Sequence, residues 1–284
     1  MYCKTFFYAF VSLLAACLVL GCSSKKNELE QAGLKGNVKS LREITYQAVG
    51  NNDTVVKGDV VMAEDIKNYY AEYNRSGNMQ QLINYDNNNE QSSRWIFFYD
   101  ADGKALGGNY YHADGTLLDS TYYVYDRRGN ITEYYHYLAD GKLKSKIFSD
   151  HDRRGNVVSE RFITPDNITE RTTKCKYSGN NLTEDQSYAS DNRLVYFSRY
   201  EYDRENNLVK QTIYNADSTV NSSGIYTYNK HSDMISCTSH NGTGQELHYT
   251  YTYLYDHMQN WIQKITFLNG EAVFLTVRQF EYYK

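Results

Sequence analysis

The sequence predicts an all-β chain: a long antiparallel meander of about eight hairpin repeats, each 26 residues long, curled or superhelical. Three observations carry this expectation. The first is a metre. An aromatic anchor recurs at Tyr73, Tyr99, Tyr125, His151, Tyr177, Tyr202, Tyr228 and Tyr255, at intervals of 25 to 27 residues. The second is turn chemistry. Asp or Asn follows most anchors, and Gly-Asn or a relative closes the motif, as in Tyr125-Asp126-Arg127-Arg128-Gly129-Asn130. These residue types tolerate positive φ and bond their own backbone, so they join antiparallel strands. A second Asx/Gly turn falls half a repeat later, at Asp114-Gly115, Asp140-Gly141, Asp166-Asn167, Asp191-Asn192, Asp217-Ser218, Thr243-Gly244 and Asn269-Gly270. The third is a set of apolar columns. Twelve places after the anchors stand Tyr85, Tyr111, Tyr137, Ile163, Tyr214, His240 and Phe267, and two places before them Phe97, Tyr123, Cys175, Tyr200, Tyr226 and Tyr253. Positions of even offset share one face of a strand, so aromatic rings are expected to stack from repeat to repeat.

Composition agrees. Of 284 residues 15% are aromatic, 30 of them Tyr, which is no disordered chain. The single proline, Pro165, falls in a turn of the second kind. The net charge of −4 becomes −5 if Lys4 leaves with a leader, and neither value draws the chain toward nucleic acid.

Taken in order, residues 1–21 have the form of a secretory leader: one charge at Lys4, an apolar run from Phe6 to Leu20, then a small residue. Val19-Leu20-Gly21-Cys22 resembles the lipobox of bacterial lipoproteins. That resemblance implies lipidation of Cys22 and a membrane anchor through its acyl chains. With Ser23 next, it implies delivery to the outer membrane of the cell envelope; the facing leaflet stays open. The Tyr- and Asn-rich style resembles lipoproteins of gut Bacteroidota. Residues 22–35 are polar and expected to be a tether. Gly36 to about residue 68 is expected to be a degenerate capping repeat carrying an insertion, and 69–284 the array itself. The final strand ends where the next anchor would fall, with Arg278, Glu281 and Lys284 expected to discourage pairing at an edge.

Tyr99-Asp100, Tyr125-Asp126, Tyr202-Asp203 and Tyr255-Asp256, each opening a hairpin turn, resemble the YD repeats of the RHS family over about residues 69 to 284. That family's repeats are usually shorter. The resemblance implies geometry, an antiparallel meander that curls, rather than the family's large toxin-enclosing shell.

No nucleophile elbow, zinc helix, phosphate loop or Cys-x-x-Cys is present. Asp100-Ala101-Asp102-Gly103 lacks the distal ligand of a calcium loop and is expected to be a turn. The dispersed histidines, with His151 and His240 standing in aromatic columns, are expected to be structural, with no metal and no cofactor. Cys175 occupies a core column and is expected to be a buried free thiol. Two surfaces stand out. Arg127, Arg128, Arg153 and Arg154 occupy the same turn of adjacent repeats and form a candidate anion-binding rim. Tyr110, Tyr122, Tyr134, Tyr249 and Tyr251, at odd offsets, are expected on the face opposite the anchors, as a candidate ligand surface for sugar rings or a partner protein. The expected function is therefore a non-enzymatic lipoprotein of the envelope with a binding or structural role. Its partners would be the membrane and a glycan or envelope protein, not nucleic acid. The alternatives are a carbohydrate-active hydrolase and a small protective shell for a secreted effector.

Overall fold

The computed structural model describes residues 27–51, 54–62 and 66–284. Among them the chain is all-β apart from one short helix, α1 (Glu28–Gln31). The strands are β1 (Val38–Asn51), β2 (Thr54–Val60), β3 (Asn68–Tyr73), β4 (Met79–Tyr85), β5 (Gln91–Tyr99), β6 (Ala105–His112), β7 (Leu117–Tyr125), β8 (Ile131–Leu138), β9 (Leu143–His151), β10 (Val157–Ile163), β11 (Thr169–Ser178), β12 (Asn181–Ala189), β13 (Leu194–Tyr202), β14 (Leu208–Asn215), β15 (Val220–Tyr228), β16 (Met234–Asn241), β17 (Glu246–Tyr255), β18 (Trp261–Leu268) and β19 (Glu271–Tyr282).

The strands fall into two compact units. A central unit holds residues 123–137 and 142–249, and a terminal unit holds 27–122, 138–141 and 250–284. In the central unit β8 to β16 pair antiparallel, each with the next in sequence. The hairpins are thus all-β and joined one to the next.

Every turn tested by the metre rests on backbone that the sequence made available. Gly77, Gly103, Gly129 and Gly155 have φ between 80 and 90°. Asn206, Ser232 and Gln259 take the same place at φ 63–66° where the glycine is missing. Where an Asx residue follows the anchor, it locks the bend. Asp126 Oδ1 accepts from Arg128 N at 2.8 Å and Asn130 N at 2.9 Å, while Asp126 N donates to Asn130 O at 2.9 Å. The same bonds recur at Asp152, Asp203 and Asp256.

Most of the turns also carry a β-bulge. Register shifts fall at the anchors Tyr73, Tyr99, Tyr177, Tyr202 and Tyr228. They also fall at Tyr85, Tyr111, Tyr137, Ile163, Tyr188, Tyr214 and Phe267. Both aromatic columns therefore mark bulges, where one strand advances by a residue relative to its partner and alternation changes phase.

The terminal unit corrects two expectations. Its strand order is β18-β19-β1-β3-β4-β5-β6-β7, with β2 folded back on the far end of β1. β1 is thus no cap. It lies between β19 and β3, and Leu41 faces Phe280 on one side and Ala71 on the other. β19 is no edge either: Arg278 is opposite Glu43, and the open, superhelical meander gives way to a sheet in which the last hairpin and the first are joined through β1. The physical reason is that an open meander leaves two strands with unpaired backbone groups, and one inserted strand satisfies both. Residues 27–34, expected to be part of a polar tether, instead fold. Asn27 caps α1 by accepting from Glu30 N at 2.9 Å. Leu29 N donates to Gly77 O, and the Leu29 side chain, 6% exposed, joins Val38, Ala71, Tyr73 and Met79 in the core.

Candidate functional site

The bulges decide where the candidate tyrosines point. Tyr110 lies opposite Trp95 and stacks on it with ring centroids 4.7 Å apart. Tyr134 packs against the buried Tyr123 at 5.7 Å. Both therefore share a face with the residues that precede the anchors, where odd offsets had placed them on the other. The extra residue inserted at each turn reverses the parity beyond it. Tyr251 shares a face of β17 with Tyr253 and Tyr255 and is half-buried, and Tyr249 is half-buried too. Within the terminal unit, Tyr110 and Tyr122 fall on opposite faces of the sheet, since Tyr122 pairs with Gly107 and Tyr110 with Asp119. Tyr122, three places before its anchor, is the member that stands in solvent, 51% exposed.

Tyr122 has company that the sequence pattern did not reveal. It lies directly across from Gly107 on β6, and Gly107 lies directly across from Phe98 on β5, which is 43% exposed. The two rings flank a glycine floor two strand spacings, about 10 Å, apart. Gly107 has φ 142°, and a Cβ there would come within 2.0 Å of Thr121 O. No side chain fits, and the floor between the rings stays bare. A signal was available: paired Gly107-Gly108 inside a strand marks close backbone approach.

The arginine rim is also placed. Arg127, Arg128, Arg153 and Arg154 are all exposed, on the β7–β8 and β9–β10 turns of the central unit. The turn acids beside them are committed to structure. Asp126 Oδ2 and Asp152 Oδ2 accept from the side chains of Asn130 and Asn156, in addition to the backbone bonds on Oδ1. At the equivalent Asp203, bonds from the Asn207 side chain, then from Asn207 and Glu205 N–H, hold the carboxyl below its usual range, against burial. Asp100 likewise binds Asp102 N and Lys104 N, which makes Asp100-Ala101-Asp102-Gly103 a turn. Among the described residues no group of three or more His, Cys, Asp or Glu is placed to hold a metal ion. Neither Cys175 nor Cys237 is in a disulfide, and burial pushes Cys175 up to about 12. Cys22 lies outside the described residues.

A carboxylate of the central unit is also held largely out of solvent. On β10, Glu160 Oε1 accepts from Ser149 Oγ at 3.1 Å. Burial pushes its carboxyl up to about 7, against the pull of Ser149 and the Arg171 charge. Its ordinary value is 4.5, so between these two pH values the folded chain binds more protons than the unfolded one. Stability therefore falls as pH rises through this window, by on the order of 3 kcal/mol, and the loss is complete above it. Glu160→Gln is expected to remove most of that slope in melting temperatures measured from about pH 4.5 to 8. An unchanged slope would assign it to other groups, beginning with Asp185, also raised by burial.

No family model matches the chain, and no curated protein matches it. Among solved structures the chain is similar to a Tc holotoxin pore of Photorhabdus luminescens, at 15% identity and a TM-score of 0.35, over 82% of this chain and 14% of the toxin chain. It is also similar to porin-like proteins of Bacteroides uniformis (10% identity, TM-score 0.45, 87% of this chain and 98% of that one) and Bacteroides vulgatus (11%, 0.38, 87% and 99%). The chain thus spans about a seventh of the toxin chain and almost all of each porin-like protein.

Proposed function

We propose that this chain is a lipoprotein of the outer membrane, acylated at Cys22, whose repeat sheet is a non-catalytic binding module for a glycan. The observation that carries the reading is the Phe98–Gly107–Tyr122 platform: two exposed rings astride a bare floor on a face that needs neither for packing. An aromatic ring offers an apolar face to the C–H side of a sugar, and the Tyr hydroxyl adds a polar tip. The turn carboxylates support a non-catalytic role, since hydrogen bonds to the bend already occupy their oxygens. The Arg127, Arg128, Arg153 and Arg154 rim would suit acidic groups on such a ligand. Membrane attachment would rest on the acyl chains, and neither nucleic acid nor a cofactor enters the reading.

A glycan array probed with the mature chain tests it, with Tyr122→Ala as the control. Binding to a defined glycan class that falls at least tenfold in the variant is expected. Equal binding by both proteins would remove the platform from the site. In parallel, Cys22→Ser is expected to shift the protein from the membrane fraction to the soluble one, and unchanged retention would refute the lipid anchor.

A further inference from the structure

We infer that residues 35–37 complete a ninth repeat turn begun by Tyr282, and that segment 27–37 is the latch that holds the first and last hairpins together. The spacing comes first. Tyr282 follows Tyr255 by 27 residues, the same interval that separates Tyr228 from Tyr255. In a regular turn five residues separate the anchor from the first strand residue: Asp126 to Asn130 lie between Tyr125 and Ile131. Across the junction Tyr283, Lys284, Lys35, Gly36 and Asn37 lie between Tyr282 and Val38, again five.

Hydrogen bonding and register agree with the count. Tyr283 N donates to Asn37 O at 2.8 Å, as Asp126 N does to Asn130 O and Asp256 N to Asn260 O at 2.9 Å. Gly36 has φ 77°, beside 80° at Gly77 and Gly103. Tyr282 is in register with Val38 as Tyr99 is with Ala105 and Tyr228 with Met234, and a register shift follows as in those turns.

One ordinary contact is missing, and a neighbour replaces it. Position 283 is Tyr, with no carboxylate to bind the backbone of the bend. Asn260 of the adjacent turn takes over: its Oδ1 accepts from Lys35 N at 2.9 Å and its Nδ2 donates to Lys35 O at 2.8 Å. This extends a rim contact seen elsewhere, where Asn78 Nδ2 donates to Gly103 O at 3.0 Å. Tyr283 then reaches past β1, and its hydroxyl donates to Tyr73 O at 2.7 Å. A turn assembled from two distant segments closes a long loop, so the unfolded state gains more entropy on its opening than a local turn would allow. The ninth turn is therefore the place where the terminal unit is expected to open first.

A circular permutant tests the geometry. Residues 205–284 are joined directly to 35–204, with no linker, and compared with the linear chain 35–284, which carries the same residues. The cut falls between the exposed Arg204 and Glu205, at the position in its own turn that Lys284 and Lys35 occupy in the ninth. The permutant is expected to melt at or above the linear chain, and a four-residue glycine spacer at the join is expected to lower its melting temperature. A permutant that melts well below the linear chain and is rescued by the spacer would overturn the assignment. Should neither truncated chain fold, hydrogen exchange on the full-length protein decides. The Tyr283 amide is expected to be protected within tenfold of the Asp126 and Asp256 amides, and exchange at the free rate would overturn the proposal.

Discussion

Arg278→Ala is expected to destabilise the protein by about 3–5 kcal/mol, seen as a lower denaturant midpoint with the slope unchanged. Arg278 on β19 and Glu43 on β1 are direct register partners, joined by Nε to Oε2 at 2.7 Å, and each side chain is 16% exposed. Tyr69 on β3 completes the row, its hydroxyl 3.3 Å from the same Glu43 oxygen. The guanidinium lies 3.5 Å over the Trp261 ring. Burial lowers the Arg278 pKa, but Glu43 beside it overrides that and holds it raised, while burial and then the Glu43 charge push the Tyr69 hydroxyl up. Three strands are thus tied by one ion pair across the junction. Removing the cation leaves a half-buried carboxylate with only a phenol, and that residual charge is the main part of the loss. The double variant Glu43→Leu with Arg278→Met is expected to recover more than half of it, since an apolar pair avoids the desolvation of either charge. A double variant no better than the single one would mean that the pair acts through packing on Trp261 alone.

Tyr73→Ala is expected to cost about 3–5 kcal/mol, and the same change at Tyr122 less than about 0.5 kcal/mol. The two look alike in the sequence, each in an aromatic strand before an Asx turn. Tyr73 is 2% exposed and packs with Leu29, Val38, Ala71 and Met79. Burial first, with smaller pushes from the Glu28 and Glu43 charges and against the Arg278 charge, raises its hydroxyl to about 12. Deleting it opens a cavity where α1, β1 and β3 meet, which rigid strands fill poorly. Tyr122 is half in solvent and should leave nothing behind. Equal effects at the two sites, measured by thermal melts, would contradict the face assignment and with it the platform.

These residues show how far the sequence reaches. The metre of Tyr125-Asp126-Arg127-Arg128-Gly129-Asn130 and its relatives placed nearly every turn, because a bend is local. Positive φ and an Asx bond to the next few N–H groups depend on adjacent residues alone. Cys175, expected from its aromatic column to be a buried thiol, is outside any disulfide but only partly buried. The faces were not legible. Parity counted straight through Tyr99 or Tyr111 goes wrong by one residue at each bulge, and a bulge is a relation between two strands that one strand's pattern does not encode. Tyr110 and Tyr134 turned inward on that account, and the Phe98–Gly107–Tyr122 platform came into view only with the register.

The sequence by itself determined the all-β class, the hairpin repeat and the chemistry of each bend. Tertiary structure alone decided that β1 lies between β19 and β3, that Glu43 meets Arg278, and that Lys35-Gly36-Asn37 finishes the bend Tyr282 begins. Gly36-Asn37 and Tyr282 each carry half of a familiar motif, but their meeting depends on where the intervening strands deliver them, and unpaired backbone on two strands supplies the force that draws them together.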